Sequence, residues 1–145
     1  MFAQLGLGGL MIGLTTIIHA SFMLAAIGLV GWVLRRARLP MPHWRAAVTV
    51  SWFVLVMFCA TIVEVWTWAA LFVWGGALPT LEEATYFSVV TFSTLGYGDI
   101  VLDPSWRLLG SIAAVNGVIL FGWTTALVFI VVQRVYGRDG ATPRF

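Results

Sequence analysis

Between Ala3 and Leu34 no side chain carries a formal charge, and His19 is the one ionisable group in the run. A helix needs about 20 apolar residues to cross a hydrocarbon core about 30 Å thick, so this segment spans with length to spare. The excess fits either a tilted helix or an interfacial first turn around GLGGL at positions 6–10. RRARLPMPHWR follows at 35–45, with Arg35, Arg36, Arg38 and Arg45 gathered around Pro40 and Pro42, which interrupt a helix. A second apolar run goes from Ala46 to Trp74, broken only by Glu64. Glu64 stands 19 residues beyond Arg45 (64 − 45), about 28 Å at helical rise and hence near the opposite membrane face. Trp66, Trp68 and Trp74 read as an aromatic belt there. Gly75 and Gly76 close that helix, and Thr80 with Glu83 three positions on forms a capping box that predicts a new one over 81–93. At about 20 Å that helix is too short to cross, so with the glycines after it the segment reads as re-entrant. IVLDPSWR returns the chain to the interface, and Leu108 to Gln133 is a third uncharged span ending at Arg134 and Arg138.

Composition makes the membrane reading firm. The chain of 145 residues is 61% hydrophobic and only 10% charged, against about 25% charged in soluble domains. All eight basic residues are arginine, and seven of them fall on one side of the predicted topology. Glu82, Glu83, Asp99 and Asp103 fall on the other, so three spans plus one re-entrant loop satisfy the positive-inside rule with the N-terminus outside and the C-terminus cytoplasmic. The arginines are therefore topology signals and imply no nucleic-acid partner. Arg35, Arg36 and Arg38 cluster after the first span rather than recurring at every third position within it, so that span does not read as a voltage sensor. Cys59 is the only cysteine, which excludes an internal disulfide and a multi-cysteine zinc site. The N-terminus lacks a basic leader and a cleavage pattern, and is expected to be a retained anchor. No serine, histidine and acid grouping, metal-ligand pair or phosphate loop supports an enzyme or a cofactor.

The chemistry lies in TFSTLGYGD at 91–99. Irregular backbone at membrane depth is tolerated only where protein surrounds it or where it lines a water-filled path. Residues 94–99 must therefore line something, and one such strand cannot enclose a cavity while several around an axis can. Rings of carbonyls can replace the water shell of a cation. Aiming successive carbonyls at one axis needs some residues at positive φ, which Gly96 and Gly98, at alternate positions, can adopt. The short helix before them turns its partially negative C-terminal end toward the same place.

This stretch resembles the signature of the potassium channel pore domain, and the order of outer helix, pore helix, filter and inner helix resembles that family from about Arg45 to Arg134. The resemblance implies an all-α integral membrane protein that assembles as a homotetramer around a central pore, with one extra N-terminal transmembrane helix. It implies that the hydroxyl of Thr94 and the carbonyls of Thr94, Leu95, Gly96 and Tyr97 bind K+, with Gly98 completing the filter and Asp99 capping it outside. Tyr86 and Phe87 occupy the positions of the aromatic cuff that braces Tyr97, where many members carry tryptophan, and Phe87 offers the Tyr97 hydroxyl no N–H. Val90 stands where some members place a glutamate that pairs with the filter aspartate. On the inner helix, Gly117 corresponds to a hinge glycine and Gly122 is a second. Val118, Phe121, Thr125 and Phe129, spaced near 3.6 residues, would line the cavity, with Phe129 as a hydrophobic gate.

The expected division is an N-terminal transmembrane helix over 1–34, a cytoplasmic basic loop over 35–45, a pore domain over 46–137 and a short cytoplasmic tail over 138–145. Within the pore domain come an outer helix at 46–74, a pore helix at 81–93, a filter at 94–99 and an inner helix at 106–136. The resulting function is passive, selective K+ conduction across what the compact architecture suggests is a prokaryotic plasma membrane, with K+, lipids and further copies of the chain as partners. Two rivals stay open: a weakly selective monovalent cation channel, and a non-conducting membrane subunit of a larger complex. His19 invites a proton-sensing or metal reading beside the plainer one of a packing histidine bonded to Thr or Ser on another helix. Glu64 is expected as an interfacial anchor paired with Arg107, and Gly9 and Gly13 as points of close helix packing.

Overall fold

The computed structural model describes residues 2–37 and 42–137, so Arg38, Pro40, Arg138 and the expected 138–145 tail lie outside the described residues. The described residues are all-helical, in four helices: α1 (Phe2–Arg36), α2 (His43–Trp74), α3 (Leu81–Phe92) and α4 (Arg107–Tyr136). α1, α2 and α4 are long and apolar enough to cross a membrane. α3, with 12 residues, rises only about 18 Å.

Local chemistry sets the helix ends. α2 begins earlier than position 46 because Pro42, at φ −58°, acts as its N-cap, and its carbonyl accepts the N–H groups of Arg45 and Ala46. A proline tolerated in a first turn here starts a helix instead of only breaking one. At the far end of α2 the N–H of Ala77 bonds the Phe72 carbonyl and that of Gly76 bonds the Val73 carbonyl. With Gly76 at φ +77°, this is a Schellman stop. α3 opens on Thr80, whose hydroxyl accepts the Glu83 N–H at 3.2 Å.

Two apolar clusters form the interior. One joins Met11 of α1, Trp68 and Phe72 of α2, Ala84 and Phe92 of α3, and Leu109 and Ala113 of α4. The other, toward the α1–α2 connection, joins Val30 and Leu34 to Phe53 and Met57 and to Val131 and Val135. Between them lies a polar layer contributed by α1, α2 and α4. His19, the central residue of α1, places Nδ1 2.8 Å from Glu64 Oε1 and Nε2 3.2 Å from the Thr124 hydroxyl, with the Trp123 ring 5.1 Å away. One turn toward the N-terminus of α1, the Asn116 amide donates to the Thr15 hydroxyl at 2.7 Å.

This layer corrects two expectations. Glu64 is fully buried and is held by His19, while Arg107 donates through Nε to the Leu102 carbonyl at 3.0 Å. A carboxyl group inside an apolar bundle needs a hydrogen-bonding partner within the bundle, and His19 is the group the fold brings there. The helix-packing glycine of α1 is Gly8, where an added Cβ would come 2.7 Å from Ile112 Cδ1. Gly9 and Gly13 meet nothing within 4 Å in the chain, because the face turned to α4 runs through Gly8, Met11, Thr15 and His19.

Candidate functional site

α3 ends by handing its last carbonyls to the segment that follows. The Ser93 N–H bonds Val89, the Thr94 N–H bonds Thr91, and the Val90 carbonyl accepts both Leu95 at 2.9 Å and Gly96 at 3.2 Å. Carbonyls left over at a helix C-terminus need donors, and here the donors are the N–H groups of the sequence-predicted filter. Its own carbonyls are then left without partners: among the described residues, those of Thr94, Leu95, Gly96 and Tyr97 accept no hydrogen bond.

The backbone of this segment alternates in hand. Thr94, Gly96 and Gly98 have φ of +60°, +58° and +79°, while Leu95 and Tyr97 between them do not have positive φ. In an extended strand successive carbonyls point to opposite sides; reversing the hand at every second residue undoes that alternation and lets neighbouring carbonyls share a side. Glycine adopts positive φ freely. Thr94, β-branched, is strained there at a cost of about 1–3 kcal/mol, a kind of strain that collects at functional sites. All of Ser93 to Asp99 is exposed in the single chain, including Tyr97 at 67%.

The aromatic positions behave differently from a simple cuff around Tyr97. The Tyr86 hydroxyl donates to Asp99 Oδ2 at 2.6 Å, and the Asp99 carboxylate also accepts the Ile100 N–H at 3.1 Å. The bond from Tyr86 holds the Asp99 carboxyl below the usual carboxylate range; the same bond pushes the Tyr86 phenol above its own. Asp99 thus has its partner on α3 four positions before Val90. Phe87 faces the other way, edge-on to Phe72 of α2 with ring centroids 5.3 Å apart and within 3.4 Å of where a Cβ on Gly110 would stand. Its missing N–H therefore costs no bond within the chain.

On α4 the expected cavity residues divide. Val118, Phe121, Gly122, Thr125 and Phe129 are exposed along one side, and Phe121 also meets Phe92 of α3 edge-on at 5.7 Å. Gly117 is buried, and a Cβ there would fall 2.0 Å from the Phe92 carbonyl oxygen. It is the seat on which the end of α3 rests, a role the sequence did not disclose. The Tyr86–Asp99 bond was also missed, although a tyrosine on the short helix and an aspartate closing the loop after it were the available signal. Among the described residues no group of three or more His, Cys, Asp or Glu side chains could hold a metal ion.

Comparison with known proteins places the chain among ion channels. A family model described as "Ion channel" matches residues 44–134, leaving α1 wholly outside the match. The chain is similar to the voltage-gated potassium channel Kch of Escherichia coli (strain K12), at 37% identity over 67 residues, covering 43% of this chain and 16% of that protein. The chain therefore corresponds to a small part of this relative's length. No solved structure gives a significant match. With three membrane-capable helices, a short capped helix between the second and third, and the match extending over both, the chain is an integral membrane protein and belongs to the potassium channel pore-domain family of ion channels.

Proposed function

We propose that four copies of the chain surround a central axis and conduct K+ selectively through the segment Thr94–Asp99. The observation that carries the proposal is the alternating backbone at Thr94, Gly96 and Gly98, together with four consecutive carbonyls that accept no hydrogen bond among the described residues. Stacked rings of such carbonyls would replace the hydration shell of a cation. The C-terminal end of α3 points at the same place and favours positive charge there. The exposure of Tyr97 and Phe129, 67% and 62% in one chain, supports the fourfold arrangement, in which copies would cover the filter wall and leave the α4 face on a shared cavity. Asp99, kept ionised by Tyr86, would draw cations to the outer mouth. Ion passage by this route involves no covalent chemistry and no cofactor, K+ being the transported species. By the positive-inside rule the end bearing Arg35, Arg36, Arg45 and Arg134 would be cytoplasmic, with the filter mouth and the N-terminus outside, in a prokaryotic plasma membrane.

The test is ion flux from liposomes containing the purified chain, under a potassium gradient and then a sodium gradient, with Gly96→Asp as control. Potassium flux that barium blocks, that sodium does not reproduce and that Gly96→Asp abolishes is the expected result. Equal sodium flux would replace selectivity with the weakly selective cation channel. Silence in both the wild type and an opened-gate variant, Phe129→Ala, would favour the non-conducting subunit.

A further inference from the structure

The α1–α2 hairpin carries a groove at the end of the molecule away from residues 94–99. Toward the connection between the two helices a groove of about 550 Å³ opens between them, with Val30 and Phe53 on its floor and Leu29, Val33, Val48 and Val56 on its walls. It runs from Ala26 to Arg36 along α1, ten residues or about 15 Å of helical rise. Its mouth is positively charged. The Arg36 guanidinium lies 4.5 Å over the Trp32 ring and that of Arg45 lies 5.2 Å over the Trp44 ring, one from each wall, and both pairs line the groove.

A guanidinium held over an indole face still has N–H groups to offer a planar or tetrahedral anion and loses less freedom on binding it. No carboxylate competes at this end among the described residues. Glu64 is turned inward to His19, and Glu82, Glu83, Asp99 and Asp103 belong to the end of the molecule beyond Trp74. Exposed indoles at Trp32, Trp44 and Trp52 set the groove mouth at the depth where lipid headgroups meet acyl chains.

We propose that this groove binds an anionic phospholipid, its phosphate between Arg36 and Arg45 and an acyl chain lying on Val30 and Phe53. The charge complementarity selects a lipid with a net negative headgroup over a zwitterionic one, since a choline or ethanolamine cation would be brought against two guanidiniums. One wall of the site is α1, which the family match does not cover, so the site is a property of this chain's added helix.

The test counts lipid and not ions, and so stands apart from the conduction reading. Purified wild type and an Arg36→Gln/Arg45→Gln variant are equilibrated in mixed phosphatidylglycerol and phosphatidylcholine of identical chains, and retained lipid is measured by native mass spectrometry. Wild type should retain phosphatidylglycerol preferentially, and the double variant should lose about 30-fold of that preference, as expected for two arginines near an anionic headgroup. Val48→Trp, which fills the groove mouth without changing charge, should reduce phosphatidylglycerol retention; unchanged helicity by circular dichroism shows that both variants fold. Equal retention of the two lipids by wild type overturns the proposal, as does an undiminished preference in the double variant. Retention of neither lipid overturns it in favour of a groove closed by a second copy.

Discussion

Replacing Gly117 by alanine separates two roles for the residue. A methyl at this position would lie 2.0 Å from the Phe92 carbonyl oxygen, 2.8 Å from its carbon and 3.0 Å from its Cα. Carbon and oxygen normally rest about 3.3 Å apart, so the overlap exceeds 1 Å. All three atoms are backbone, and no rotamer change can relieve them. Either α4 or the end of α3 must move, and the latter lies two residues before Thr94. Overpacking a core costs about 1–3 kcal/mol, and an immovable neighbour puts this site at the upper end. Alanine's better helix propensity returns up to about 1 kcal/mol, leaving a net loss of about 2 kcal/mol, roughly 30-fold in the ratio of folded to unfolded protein. The assay is unfolding in mixed micelles of rising dodecyl sulfate, followed by circular dichroism, with potassium flux from liposomes alongside. Gly28→Ala is the control, because nothing lies within 4 Å of a Cβ there, and it should lose no stability. Gly117→Ala should lose both stability and flux. A hinge role alone predicts a variant as stable as wild type that opens poorly, and that result would refute the seat.

Three other outcomes follow from named contacts. The Tyr86 hydroxyl lowers the proton affinity of Asp99, so what the ionised carboxylate contributes is present above the ordinary carboxylate range and is lost only as pH falls through the depressed value. Tyr86→Phe should therefore move the acid limb of potassium flux to higher pH; an unmoved limb would remove the bond from the account. His19→Leu leaves the fully buried Glu64 without its hydrogen-bond partner, and should cost about 1–3 kcal/mol in the dodecyl sulfate titration, with Glu64→Leu in the same chain recovering most of it. Additive losses in the double variant would show that the two groups are not coupled. Phe129→Ala should raise basal potassium flux if the exposed ring closes the cavity by dewetting, and unchanged flux would take Phe129 out of the gate.

The sequence was legible where polar chemistry broke the apolar background. Thr80 and Glu83 announced the start of α3, the charge-free runs located α1, α2 and α4 to within a few residues, and the glycines of TLGYGD marked where positive φ was needed. Rotational phase was not legible. In a soluble helix the apolar stripe reports which face is inside, but lipid and protein interior are equally apolar, so α1 carries no such contrast and packing is decided by small and polar residues. That is why Gly9 and Gly13 looked as suitable as Gly8, and why Glu64 was read as an interfacial anchor and assigned the wrong partner. His19 and Glu64 are 45 residues apart, and only the phases of two helices bring them together. The positive φ of Thr94 was hidden for the opposite reason, since a β-branched residue is the last from which that conformation is expected.

Because α1 lies outside the family match, the contacts it makes explain what an additional helix can do to a pore. Its polar contacts to α4, Thr15 to Asn116 and His19 to Thr124, and its close approach at Gly8 against Leu109 and Ile112 all fall on the part of α4 from Leu109 to Thr124. Beyond Thr124 the α1–α4 contacts are apolar, through Ala26, Val30 and Leu34 against Leu127, Val131 and Val135. Hydrogen bonds between membrane helices are worth only about 0.6 kcal/mol on average, so these pairs add little to affinity. What they impose is register: a slide of α4 by one turn would separate Asn116 from Thr15 and Thr124 from His19, whereas the apolar half could slide at much smaller cost. α1 therefore fixes by hydrogen bonds the half of α4 that carries Gly117 and packs on the end of α3, and holds the half that carries Phe129 by apolar contacts alone. Lipid held between Arg36 and Arg45 would act on that second half, through the same Val30 and Phe53 that share a core with Val131.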